Sequence, residues 1–269
     1  MTQLSDIAIQ QFRNQFIIDY RALGKLGNGR TTQIFRGLRG DSFKMPIQGS
    51  IVAGARGPLG SDIPLADRDY SQATIQFENY AIREAIDKFE QDLLEANAVG
   101  LLPSRMAEAL ARREDQVILD ALSASSASSV SASGDNLTVE MLQNIKENFD
   151  QNNVPMQDRI LVIGPSQEQS LLNDNKVINI QIASSKNLVT GSLEMILGMK
   201  VIVLGDMEEG GLAKNSSNIR TCFAFQKNAV GVGFTTDPNV NVWYREESQS
   251  NQVSGAMRCG ATVALTKGV

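Results

Sequence analysis

Apolar residues recur along this chain with a spacing that changes from segment to segment, and each change marks a different element. Ile9, Phe12, Phe16 and Tyr20 fall at steps of three, four and four, on one face of a short helix that GKLGNGR at 24–30 ends. Periodicity alone favours a surface helix packed on its own domain over an arm lying on a neighbouring subunit. The spacing then drops to two: Phe43, Met45 and Ile47, and again Ala73, Ile75 and Phe77, alternate with polar residues. This predicts extended structure over 31–86 with two arms of one hairpin. Between the arms, IVAGARGPLGSDIPLADRD carries glycines, prolines and charges that suit neither a helix nor a central strand. A protruding loop of that length exceeds the roughly 12 to 15 residues usual in compact domains and calls for a partner or a purpose.

Helical spacing returns over Asp87 to Asn97 and, after Pro103 with Ser104 as N-cap, across SRMAEALARREDQVILDAL. Met106, Leu110, Val117 and Ala121 share a face there, and the run Arg112, Arg113, Glu114 and Asp115 reads as solvated or pairing with neighbours. SASSASSVSASG at 123–134 has little to bury and marks an exposed connector at a subdomain border. From Thr138 an amphipathic helix carries Leu142, Ile145 and Phe149; the strand RILVI follows, ends at Gly164, and leads into a second helix. Ser166 and Gln169 match a capping box at its start. Beyond lie a strand from Met199 to Leu204 and further strands in CFAFQKNAVGVGF and NVNVWYREE. Helix, strand, helix, strand followed by a β-rich end gives an α+β chain, with an α/β unit in its middle. No repeat of fixed period is present.

Composition narrows what such a chain does. Its 269 residues are enough for one large domain or two smaller ones, and 42% hydrophobic with 20% charged residues describes a globular protein. A net charge of -5 lacks the Lys and Arg surplus that wrapping nucleic acid needs. Cys222 and Cys259 are too sparse for a disulfide framework or a zinc cluster, which fits a reducing cytoplasm, and no stretch approaches the ~20 apolar residues of a membrane span. The chain contains no histidine, which removes the side chain that serves most acid-base and many metal sites near neutral pH.

The candidate chemical motifs resolve into structural ones. GNGRTT at 27–32 lacks the third glycine of a dinucleotide fingerprint and the GK[ST] of a phosphate loop, and reads as a turn. GPS at 164–166 lacks the closing glycine of a nucleophile elbow, and without histidine the usual triad has no base. Asp206, Glu208 and Glu209 lie beside Gly210 and Gly211 as a solvated loop, Lys44 and Lys88 as solvated lysines, and Trp243 as a half-buried strand residue. No catalytic, cofactor or metal residue is assigned.

In order, FKMPI, the Gly and Pro loop, ATIQFENYAIREAID, the long helix SRMAEALARREDQVILDAL, VPMQDRILVIGPSQEQSLL, GSLEMILGMKVIVL with Gly191 and Gly198, FAFQKNAVGVGF, and REESQSNQVSGAMRCGATV with Gly260 resemble the major capsid proteins of tailed bacteriophages over about 31–269. The short-tailed phages are the nearest match. The resemblance implies the phage capsid fold: an amino-terminal arm over 1–30, an extended β-hairpin loop over 31–86, a peripheral domain with a spine helix over 87–137, an axial α/β domain over 138–235, and closing strands returning to the peripheral domain over 236–269.

The function it implies is a non-enzymatic subunit that self-assembles, as hexameric and pentameric capsomers, into an icosahedral virion shell enclosing double-stranded DNA without sequence-specific binding. Assembly would take place in the host bacterial cytoplasm, with no cofactor and no membrane contact. Thirty residues before the hairpin region leave no room for a built-in scaffolding domain, so a separate scaffolding protein and a portal are the expected partners. Some relatives crosslink a loop lysine to a neighbour's asparagine, and no such trio with a carboxylate is identifiable. An encapsulin-type compartment shares the fold and is the alternative; a soluble α/β enzyme using carboxylates or lysine is a further one.

Overall fold

The computed structural model describes residues 6–27, 29–48, 70–87, 98–130, 136–174, 193–205, 209–214 and 219–269, with the single positions 55 and 58. The rest of the loop between the hairpin arms, the helix signal after Asp87, all of 131–134, Lys88, Gly191, Asp206 and Glu208 lie outside them.

Among the described residues, ten strands and four α-helices form two four-stranded sheets, a two-stranded hairpin and the helices against them. Helix α1 (Asp6–Leu23) precedes β1 (Gln33–Phe35), β2 (Ser42–Gln48), β3 (Tyr70–Gln76) and β4 (Glu78–Asp87). Then come α2 (Ala98–Ser123), α3 (Val139–Gln151), β5 (Arg159–Ile163), α4 (Pro165–Leu172), β6 (Met195–Ile196), β7 (Met199–Val203) and β8 (Phe223–Gln226). The long strands β9 (Val230–Arg245) and β10 (Ser250–Val263) close the chain.

In the first sheet, ordered β1-β9-β10-β4, β10 pairs antiparallel with both long neighbours and β1 runs parallel to β9. A register shift beside Arg258 falls next to Pro238 of β9, as expected of a residue that cannot donate to a ladder. Helices α1 and α2 cover one face of this sheet, burying Phe12, Phe16, Tyr20, Met106, Leu110 and Ile118 against Phe234, Val253 and Met257. Burying one such side chain contributes roughly 1.5–3 kcal/mol. Helix α1 thus packs on its own chain, as its periodicity predicts, with Ile9 half-buried at its start.

Three expectations about α2 are corrected. It begins at Ala98, not at Ser104, and runs through Pro103; the Ser104 hydroxyl bonds Asp19 of α1 at 2.5 Å and caps nothing. Its buried stripe follows steps of four through Met106, Leu110, Glu114, Ile118 and Leu122, leaving Val117 and Ala121 half-buried at the margin. And Glu114 and Asp115 are buried, at 0% and 4% exposure, where a run solvated or pairing with neighbours was expected. Arg112 and Arg113 do pair, with Glu108 at 2.6 Å and Glu209 at 3.6 Å.

The second sheet, ordered β6-β7-β5-β8, is built on RILVI, all five residues of which are buried. Strand alternation sends Ile160 and Val162 into the core under α2, and Leu161 and Ile163 into a second core with Leu142, Phe149 and Leu171 of α3 and α4. One strand therefore belongs to both cores. Thr138 caps α3 by accepting the Met141 N–H at 3.4 Å. The following loop is pinned by Arg159, 2% exposed, which donates to the Val154 and Pro155 carbonyls at 2.6 and 3.0 Å and to Asp150 at 2.8 Å. Gly164 is the N-cap of α4 and makes no side-chain bond, so the expected Ser166 and Gln169 capping box is absent. The Ser166 hydroxyl instead accepts from Arg220 at 3.1 Å.

Candidate assembly surfaces

The hairpin predicted from alternating residues is present: β2 and β3 pair antiparallel with Phe43 opposite Ile75 and Met45 opposite Ala73. One face carries Phe43, Met45, Ile47, Ala73 and Ile75; the other carries Lys44, Pro46, Gln72 and Thr74, all exposed. Chain geometry at Phe77 makes the hairpin leave the sheet. β3 ends at Gln76, β4 begins at Glu78, and the Phe77 N–H donates to the Asp41 carbonyl at 3.1 Å across the base. There the Gln76 carbonyl passes so close over β10 that a Cβ on Gly260 would stand 1.9 Å from its oxygen. Only glycine fits that crossing. Arg258 and Asp41, 2.5 Å apart, hold the same base from outside.

The helical layer is fastened by the buried acids. Tyr20 of α1 donates its hydroxyl to Glu114 of α2. Asp115 accepts three successive backbone N–H groups, from Lys25, Leu26 and Gly27, at 3.0, 2.9 and 2.9 Å. Such a row of amides is a backbone anion site. Burial pushes the Asp115 carboxyl above the usual carboxylate range, with the three amides acting in the opposite direction. Burial, and then Glu114, likewise raise the Tyr20 hydroxyl. Residue-by-residue reading of the charged run missed this site; the signal was that Glu114 stands four residues from both Leu110 and Ile118, inside the apolar stripe. The outer side of α1 exposes Ile17 and Ile18, at 42% and 60%. The second face of the first sheet is open, with Ala81, Arg83, Ala85, Asn239 and Asn241 exposed.

The other candidate residues are not brought together. The described residues of GNGRTT, Gly27 and 29–32, form a turn in which Gly29 has φ 70° and Thr31 and Thr32 are buried. Glu209 meets Arg113, Lys44 is solvated on β2, and Trp243 lies across from Gln252 on the open face, at 41% exposure more open than a half-buried strand position. Burial, then Glu114, push the Cys259 thiol up to about 12; burial also raises Cys222. Among the described residues no three His, Cys, Asp or Glu side chains gather as a metal site, and no helix is long and apolar enough to cross a membrane. A cleft of about 590 Å³ opens between α3, the small-residue connector and residues 219–224, lined by Leu122, Val130, Met141, Phe149, Arg220 and Phe223 among others.

A family model described as phage capsid protein matches residues 4–269. No curated protein matches the chain by sequence. Among solved structures, the chain is similar to the capsid of the cyanophage P-SCSP1u, with 17% identity, a TM-score of 0.67, and 88% of this chain and 84% of that one covered. It is similar to the head protein of Helicobacter pylori bacteriophage KHP40, with 11% identity, a TM-score of 0.71 and coverage of 91% and 84%. It is also similar to a virus-like particle from Pyrococcus furiosus, with 12% identity, a TM-score of 0.61 and 96% of both chains covered. At such identities the structures speak for the fold, and the fold is that of capsid shells. With its sequence matched from residue 4 to residue 269, the chain belongs to the phage capsid protein family and is a shell-forming subunit.

Proposed function

We propose that this subunit builds a closed icosahedral shell of hexameric and pentameric capsomers around double-stranded DNA in the host cytoplasm, guided by a separate scaffolding protein and a portal. In this reading residues 1–30 are the arm, 31–86 the extended loop with its flanking strands, 87–137 the peripheral domain, 138–235 the axial domain and 236–269 the returning strands. The observation that carries the reading is the β2–β3 hairpin, which lies on its own sheet through Met45 and Ile75, exposes Lys44, Pro46, Gln72 and Thr74, and has no third strand among the described residues. A two-stranded ribbon is marginal by itself in water, and in this reading a neighbouring copy supports its outer edges. Closed symmetry then leaves no such edge open. A wall of net charge -5 does not retain packaged DNA by its backbone.

The experiment is negative-stain microscopy with sedimentation of the expressed chain, alone and with the scaffolding protein encoded beside it. Closed particles or capsomers are expected; compact monomers or dimers under both conditions would sink the reading.

The similarity to the archaeal particle over nearly the full length of both chains supports a second reading, a compartment that encloses protein cargo. Shells that co-purify with one enzyme and lack DNA would decide for it.

A further inference from the structure

A cleft of about 590 Å³ lies where α3, the small-residue connector and residues 219–224 meet, within the roughly 300–1,000 Å³ usual for small-molecule sites. Its walls are apolar: Leu122 at the end of α2, Met141, Ile145 and Phe149 of α3, and Phe223 of β8. Val130 and Ile219 line it as well and stay 37% and 39% exposed. Aliphatic side chains scattered singly on a surface need no explanation; two that border one concave apolar space mark a place for a partner. The charge in the cleft is one-sided. Arg220 and Lys267 line it, and among the described residues no Asp or Glu side chain does. Arg220 is 8% exposed and held in place, its Nη1 donating to Ser166 Oγ at 3.1 Å and to Gln167 Oε1 at 2.9 Å. Gly164 makes room for it, since a Cβ there would stand 1.8 Å from Nη1. The half-buried Cys222 feels the Arg220 charge from inside the cleft: burial raises its thiol, while the Gly164 backbone and Arg220 draw it down.

We propose that this cleft binds an amphiphilic carboxylate, its apolar chain against Met141, Ile145 and Phe223 and its carboxylate toward Arg220 and Lys267. Burial of the chain supplies most of the affinity, and the head group sets the sign of charge that is accepted. A cationic amphiphile would bury the same chain but bring its charge against two cations. The walls come from both cores, Leu122 from the first and Phe149 from the second. A bound molecule therefore touches the end of the spine helix and the α3 unit at once.

Titration calorimetry of the full chain with decanoate, kept below its micelle concentration, tests this. One molecule per chain is expected, with decyltrimethylammonium, the same chain under the opposite charge, bound about tenfold or more weakly. At about ten times the Kd so measured, decanoate slows iodoacetamide labelling of Cys222 about tenfold, the ratio that occupancy sets. Cys259 stays unlabelled throughout, which shows that the chain remains folded. Ile219→Asp, which puts a carboxylate among the lining residues, abolishes both binding and protection. If Ile219→Asp does not fold, Lys267→Glu decides: at that exposed position it weakens decanoate about tenfold and leaves decyltrimethylammonium bound no worse. No decanoate binding, equal binding of the two amphiphiles, Cys222 labelled at the same rate with decanoate bound, or a Lys267→Glu chain that binds decanoate as the native one does overturns the proposal. A Cys222 that labels in free subunits and is shielded in assembled particles without any amphiphile overturns it too, and assigns the cleft to a neighbouring copy.

Discussion

At position 114 the spine helix carries a carboxyl where its neighbours four residues away are leucine and isoleucine, and that single residue changes what the helix does. An all-apolar stripe would bind α1 by area alone; the acid pair adds direction, fixing which residues of the turn stand over which side chains. The adjacent Asp115 also gives the fold a pH dependence of defined sign. Because burial raises its folded pKa, its contribution is full below the unfolded value of about 3.9 and is lost as pH rises through the folded one. Relative to Asp115→Asn, the native chain is expected to gain stability to urea as pH is lowered from 7 toward about 4.5. A gap between the two that is constant with pH would contradict this. The same burial governs Cys259, whose thiol, pushed up to about 12, holds almost no thiolate at neutral pH. Cys259 should react with a disulfide reagent such as dithionitrobenzoate only once the chain is unfolded, as read by peptide mapping of the labelled thiol.

Among the elements, the hairpin and the strand that carries it show how a sheet residue controls a protrusion. Gly260 lets the β3 carbonyl cross β10, so Gly260→Ala pushes the hairpin base off the sheet. A loss of about 3 kcal/mol or more in chemical denaturation is expected, at the upper end of overpacking effects, since the atom to be displaced is backbone. The tip is different. Removing residues 52–66, which lie beyond the paired arms, should leave a folded subunit with unchanged circular dichroism that assembles poorly; normal shells from that deletion would refute a role for the loop in assembly. The hairpin was legible in the spacing of Phe43, Met45, Ala73 and Ile75, because alternation with a single buried face has one solution. The start of α2 was not legible, since Pro103 within a helix contradicts the local rule and is tolerated only near the end, where few backbone bonds are lost.

For the whole molecule, the two cores share β5, so the central sheet and the spine helix are not separable modules. A change such as Leu161→Ala, which empties the α3 side, is expected to destabilise by about 2–5 kcal/mol and to lower the melting of the spine side with it. Two separate transitions in calorimetry would show instead that the sides unfold independently. At this scale the faces left open are the polar face of the hairpin with Lys44, Pro46, Gln72 and Thr74, the outer side of α1 with Ile17 and Ile18, and the second face of the first sheet.

By itself the sequence determined the kind of each long element, the hairpin and its facing residues, and the alternation of helix and strand around RILVI. These are properties of local spacing and composition, and local spacing is set by the geometry of helix and strand. The ordered series of capsid-like segments pointed to the fold, because order along the chain survives where single motifs are unspecific. Tertiary structure alone decided that a run of four charged residues splits into two outward arginines and two buried acids, that Gly164 rather than Ser166 caps α4, and that Gly260 is a crossing point. Each depends on which distant segment arrives at that spot, and desolvation and close contact are fixed only on its arrival.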